Sequence, residues 1–155
     1  MEDFVRRFIR SSLLWLGVGV LMGVWMVFDP GTALAYRPAH MHANLLGFVS
    51  MMIFGVAYHV LPRFAGRPIR SRLMARIHLV AANGGLALMV VGFMLRVSSY
   101  GAGTAILVVG SMASATGAFL FIGNLWATLE PHRPGTPTGM APPRHTAPPG
   151  AAGRG

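Results

Sequence analysis

Four of the six histidines in this sequence stand in or at the ends of apolar stretches: His40, His42, His59 and His78. Imidazole is both a proton carrier and a common metal ligand, so these positions open the search for chemistry. General acid–base catalysis has little to work with. The only carboxylates are Glu2, Asp3, Asp29 and Glu130, at chain ends and in loops, and none is placed to orient a buried imidazole. No serine has the flanking glycines of a nucleophile elbow, and no glycine cluster forms a phosphate loop. The absence of cysteine excludes thiolate metal sites, iron–sulfur clusters and thioether-attached heme. A zinc or copper centre needs three or four converging ligands. His40 and His42 are two residues apart, roughly 200° around a helix, so a regular helix cannot turn both to one ion. A heme asks for less: one or two imidazoles, an apolar slot between helices, and cations for its propionates. Gly47, Gly55, Gly84 and Gly85 would either make room for a flat macrocycle or mark close helix contacts. His132 and His145 fall in a Pro- and Gly-rich tail and carry no specific role.

The elements that must position these residues follow from charge spacing. The chain has 155 residues, 54% apolar and only 11% charged, with a mean hydropathy of +0.56. Between Asp29 and Glu130 charge appears only at Arg37, in a cluster from Arg63 to Arg76, and at Arg96. Stretches of about 18 uncharged residues are long enough to cross a bilayer as helices. A water-soluble enzyme is excluded on this pattern, and so is a β-barrel, because the runs lack period-two alternation. The expected fold class is all-α, a polytopic membrane protein with a four-transmembrane-helix bundle over residues 1–130. Its helices are expected at about 11–28, 39–61, 72–97 and 103–129, punctuated by Asp29-Pro30-Gly31, Pro62 and the Gly101–Gly103 run. Residues 131–155 hold seven of the eleven prolines and are expected to form a disordered tail.

All thirteen basic residues are arginines, and they give a formal net charge of +9. Topology explains that excess better than nucleic-acid binding. Arg6, Arg7 and Arg10, the five from Arg63 to Arg76, and Arg133, Arg144 and Arg154 share one side of a four-span layout. Only Arg37 and Arg96 lie on the other. By the positive-inside rule both termini and the second-to-third connection are expected to be cytoplasmic, in the inner membrane of a prokaryote. A rival reading takes the first helix and Ala33-Leu34-Ala35 as a cleavable signal, but the length of its apolar run and its Trp15 and Trp25 suit a retained helix. On the last helix Gly110, Ser114 and Ala118 form a small-residue face, for internal packing or for a dimer seam.

The run His40-Met41-His42-Ala43-Asn44-Leu45-Leu46-Gly47, continued by Phe54-Gly55-Val56-Ala57-Tyr58-His59-Val60-Leu61-Pro62, resembles the second transmembrane helix of the main subunit of heme–copper oxidases. The likeness is nearest to C-type cytochrome c oxidases and nitric oxide reductases, where this helix opens with His-x-Asn. Arg76-Ile77-His78 and Asn83-Gly84-Gly85 resemble the third helix of the same group. The likeness covers about residues 37–97. It implies that His42 is an axial ligand of a low-spin heme, while His40, His59 and His78 match no ligand that carries over. The family's main subunit has about twelve helices, a second axial histidine on its tenth, and further histidines for copper or iron and for a high-spin heme. Those are absent here, so the chain is expected to be a short relative of the N-terminal helices and not a complete oxidase by itself.

The sequence is therefore read as a membrane b-type heme protein, for electron transfer or heme-dependent gas sensing in a respiratory assembly. It would hold heme b (one, or two) with His42 on the iron, Arg37 and Arg96 on the propionates, and His40, His59 and His78 as further cofactor-binding candidates. His59 and His78 would either bracket one heme or hydrogen-bond separately at the membrane interface. The expected partners are the lipid bilayer and a second copy or a respiratory-complex subunit, with no nucleic acid. The alternative is a heme-free accessory or assembly subunit, and a small transporter comes third.

Overall fold

A computed structural model describes residues 2–130. The expected tail, with His132 and His145, lies outside the described residues. Helix α1 spans Asp3–Phe28. A continuous helical run follows: α2 at Pro30–His42, a π-helical stretch at Ala43–Ser50, and α3 at Met51–Phe64. Helices α4 at Arg72–Leu95 and α5 at Tyr100–Leu129 complete the described residues. Among the described residues four helical runs, Asp3–Phe28, Pro30–Phe64, Arg72–Leu95 and Tyr100–Leu129, are long and apolar enough to cross a membrane. The expected all-helical, four-span layout is present.

Several helix ends differ from the sequence expectation, each for a local reason. Helix α1 begins at Asp3 rather than near Ser11. Arg6 pairs with Asp3 within its first turn, so the helix runs on through its charged end. Asp29-Pro30-Gly31 breaks the helix for a single residue, Asp29. Pro30 then occupies the first turn of α2, where a missing N–H costs nothing, and the Asp29 carboxylate accepts from the Thr32 hydroxyl at 2.7 Å. The second span therefore starts nine residues before the expected Ala39. Pro62 does not end α3. The helix closes at Gly66, whose φ of +65° is open to glycine at little cost, with Gly66 N–H on the Arg63 carbonyl and Arg67 N–H on that of Pro62, each at 3.0 Å. Helix α4 stops at Leu95 instead of Val97, and α5 takes in Tyr100 and Gly101 through the Gly103 N–H bond to the Ser99 carbonyl at 2.9 Å.

The packing is set by glycines. Helices α4 and α5 form the most extensive pair in the bundle. Gly85 and Gly92 on one helix, and Gly103, Gly110 and Gly117 on the other, recur every seven residues, the spacing that keeps one seam between two helices. A Cβ on Gly85 would lie 2.6 Å from the Ser114 backbone nitrogen and 2.7 Å from the Gly110 carbonyl oxygen. The Gly110–Ser114 face thus serves internal packing, one of the two roles open to it. Gly47 and Gly55 are also close helix contacts, against Trp15 and against Phe8 with Ile9, whereas Gly84 faces no atom within 4 Å. Three of the four glycines weighed as room for a macrocycle are thus filled by neighbouring helices.

The core runs through α1, α3, α4 and α5, with Val5, Phe8, Met51, Ala75 and Leu86 fully buried. The chain turns between α3 and α4 are pinned to α5. Ser71 N–H donates to Asn124 Oδ1 at 2.9 Å, Asn124 Nδ2 donates back to the Ser71 carbonyl at 2.8 Å, and Arg70 N–H donates to the Thr128 hydroxyl at 2.9 Å.

Candidate functional site

His42 ends α2 one residue before the π-helical stretch. Its Nδ1 lies 2.7 Å from the Pro38 carbonyl. A carbonyl only accepts, so Nδ1 carries a proton, and in the neutral ring the lone pair is then on Nε2. This is the tautomer that a metal-binding imidazole adopts when its other nitrogen is tied to the protein. The ring packs on Phe93 of α4 at 4.9 Å between centroids. His42 also lines a cleft of about 400 Å3 shared with Leu34, Arg37, Met41 and Leu45. Leu34, Met41 and Leu45 are exposed on the bundle surface, so the cleft is apolar, open outward, and carries one cation.

The residues present therefore fit a heme at this position in three respects: an imidazole with a free lone pair, an apolar wall, and Arg37 beside it. The fit is partial for the second propionate partner. Arg96 sits with its guanidinium carbon 4.7 Å from the Tyr100 ring centroid, a cation–π arrangement, and does not line the cleft.

The remaining histidines go elsewhere. His40 turns to α1, where its Nδ1 donates to the Gly19 carbonyl at 2.9 Å. A Cβ on Gly23 would lie 3.0 Å from its ring, so glycines on α1 make the place for it. Asn44 occupies the same groove and donates to the His40 carbonyl at 3.0 Å. His40 and His42 thus face different helices, as their spacing requires. The π-helical stretch that follows is marked by Ser50, whose hydroxyl donates to the Leu45 carbonyl five residues back at 2.9 Å. Such turns are uncommon and recur near functional sites.

His59 lies at the opposite end of the second span. Its Nδ1 accepts from Arg63 at 2.9 Å, and the same guanidinium donates to the His59 carbonyl. His78 is fully buried. Its Nδ1 is 3.1 Å from the Tyr58 hydroxyl, and its ring is walled by Phe8, Phe54 and Phe121 at 4.8, 4.6 and 5.5 Å between centroids. Its Nε2 has no hydrogen-bond partner. His59 and His78 share a depth but not a cleft, because one turns to an exposed arginine and the other to an aromatic core.

Sequence reasoning missed the Tyr58–His78 pair and the Trp15–Asn83 bond, in which Trp15 Nε1 donates to Asn83 Oδ1 at 3.2 Å. A signal for the first was available. Tyr58 stands six residues before the end of α3 and His78 six after the start of α4, so both lie roughly 9 Å from the connecting turn. Among the described residues, no three His, Asp or Glu side chains converge as a metal site.

No protein-family model matches the chain, and no solved structure matches it. The chain is similar to CcoN1, a subunit of the Cbb3-type cytochrome c oxidase of Stutzerimonas stutzeri. The two are 33% identical over 70 residues, covering 43% of this chain. The likeness to that oxidase subunit is weak and partial. It spans about 15% of the length of that relative. The family resemblance read from the helix-two and helix-three motifs agrees with this match.

Proposed function

We propose that this chain is a multi-pass membrane protein that holds a b-type heme on His42 and serves electron transfer or gas sensing in a respiratory assembly. The observation that carries the reading is the His42–Pro38 hydrogen bond, which engages Nδ1 and not Nε2, beside an apolar cleft edged by Arg37. The similarity to an oxidase subunit supports the choice of cofactor class. Heme bound there would supply one-electron exchange, or an open coordination position for a diatomic gas. The chain's own part is to fix the imidazole through Pro38, to exclude water with Leu34, Met41 and Leu45, and to balance a propionate with Arg37.

Neither His40, held on α1, nor His59 and His78, at the far end of the bundle, is a second axial ligand for an iron on His42. A heme held on His42 would then be completed by a partner chain, a second copy or another respiratory subunit, or would keep an open position. The arginine distribution supports a cytoplasmic hairpin between α3 and α4, in the inner membrane of a prokaryote.

The test is an absorption spectrum of the purified protein. Sharp reduced α and Soret bands that disappear in His42→Ala are expected. Bands that survive that substitution would remove His42 from the iron. The second reading, a heme-free accessory subunit, is favoured by one observation: among the described residues His42 is the sole imidazole at its cleft. It predicts no bands in the unaltered chain reconstituted with heme.

A further inference from the structure

At the end of the bundle opposite His42, where α1 starts and α3 turns into α4, lies a second cleft, of about 480 Å3. Its floor is formed by Phe4 and Tyr58, stacked edge to face at 5.5 Å. Its rim carries Arg63, Arg67, Arg72 and Glu2. Arg72 is paired with Glu2 at 2.9 Å. Arg63 donates to the carbonyl and Nδ1 of His59, and Arg67 to the carbonyl of Glu130, and among the described residues neither forms an ion pair. The sequence offers no other carboxylate side chain to meet them. Asp3 is taken by Arg6, Asp29 lies at the other end of the bundle, and Glu130 accepts from Trp126 at 3.1 Å. The cleft thus sets three guanidinium groups against one carboxylate, Glu2, which is paired with Arg72, and leaves Arg63 and Arg67 over its apolar floor without a carboxylate of their own.

The geometry points to a binding site for the phosphate of an anionic phospholipid, seated between Arg63 and Arg67. Guanidinium groups hold phosphate oxygens in paired, charge-assisted hydrogen bonds, and basic pockets between spanning helices take anionic headgroups. The cleft's two-sided chemistry selects an amphiphile over a free ion. Its charged rim lies where the apolar stretches end, its floor is aromatic, and Phe64 and Leu73 beside it are 84% and 65% exposed, as lipid-facing groups at a membrane border would be. The site is independent of heme and of the oxidase likeness.

The full-length protein would be reconstituted in nanodiscs of phosphatidylcholine with a minor fraction of phosphatidylglycerol, released into the gas phase, and its retained lipid counted by native mass spectrometry. One phosphatidylglycerol retained per chain is expected. Arg63→Gln with Arg67→Gln should lower its apparent affinity by roughly 25-fold, about fivefold per guanidinium. Arg7→Gln with Arg76→Gln removes the same charge outside the cleft and should leave retention within about twofold. Equal loss in both double variants, or equal retention of phosphatidylcholine, would overturn the site. Displacement of the lipid by millimolar inorganic phosphate would assign the cleft to a free anion and overturn the lipid reading.

Discussion

Tyr58 and His78 show how a single polar contact is held inside an apolar bundle. His78 has one hydrogen-bond partner, the Tyr58 hydroxyl, and its second nitrogen has none. Removing the hydroxyl leaves both ring nitrogens unsatisfied in an aromatic shell, and an orphaned buried polar group costs about 1–3 kcal/mol. Tyr58→Phe is therefore expected to lower unfolding stability in detergent by that amount. Tyr58→Phe combined with His78→Phe should regain most of it, since no polar atom is then stranded. A double variant as unstable as the sum of its singles would show that the pair is not coupled. The histidines on the second span were readable in part. The two-residue spacing of His40 and His42 dictates that they part company, and they do. The Tyr58–His78 contact was not readable from periodicity, because it joins helices through long side chains across a core whose order the sequence does not display.

Helix ends and helix seams were legible to different degrees. Hydropathy finds the stretch that fits a bilayer, but backbone hydrogen bonding decides where a helix stops. Arg6, Arg7 and Arg10 therefore mark the end of the apolar run and not the end of α1. Glycines posed the harder problem, since composition gives their number and spacing but not what stands opposite. Gly84 and Gly85 are adjacent in sequence and opposite in consequence. A methyl group on Gly85 would press into the Ser114 and Gly110 backbone, while one on Gly84 would meet nothing within 4 Å. Gly85→Ala is expected to cost about 1–3 kcal/mol through overpacking. Gly84→Ala should be neutral or stabilise by up to about 1 kcal/mol, because alanine is the better helix former. Thermal unfolding of the two variants side by side would check this, and equal melting temperatures would contradict the α4–α5 seam.

For the whole molecule, orientation and assembly decide which surface meets which partner. Among the described residues eight arginines, Arg6, Arg7, Arg10 and the five from Arg63 to Arg76, stand at one end of the four helical runs, and Arg37 and Arg96 at the other, so a reporter fused within residues 65–71 should be active only as a cytoplasmic domain. A periplasmically active fusion would invert the molecule.

Assembly follows from the shape of the His42 cleft. It opens on the bundle surface between exposed apolar side chains, with Leu34 78% accessible, and among the described residues no second imidazole lines it. A symmetric pair of chains would bring two such clefts together, so that the partner's equivalent histidine supplies the other axial position. The small residues Gly110 and Gly117 of α5 are already packed on α4. The proposed heme site then predicts one heme per two chains, measured as pyridine hemochrome against protein concentration. Its spectrum should be low-spin and unmoved by carbon monoxide. Chains that carry one heme each, with a high-spin spectrum that shifts on adding carbon monoxide, would show that the site is open and that no second copy closes it. Because the exposed wall of the cleft is apolar, Leu34→Arg should block the approach of a partner without touching His42. In a bridged site that substitution is expected to convert the spectrum to the high-spin, carbon-monoxide-responsive form; in an open one it should leave the spectrum as it was.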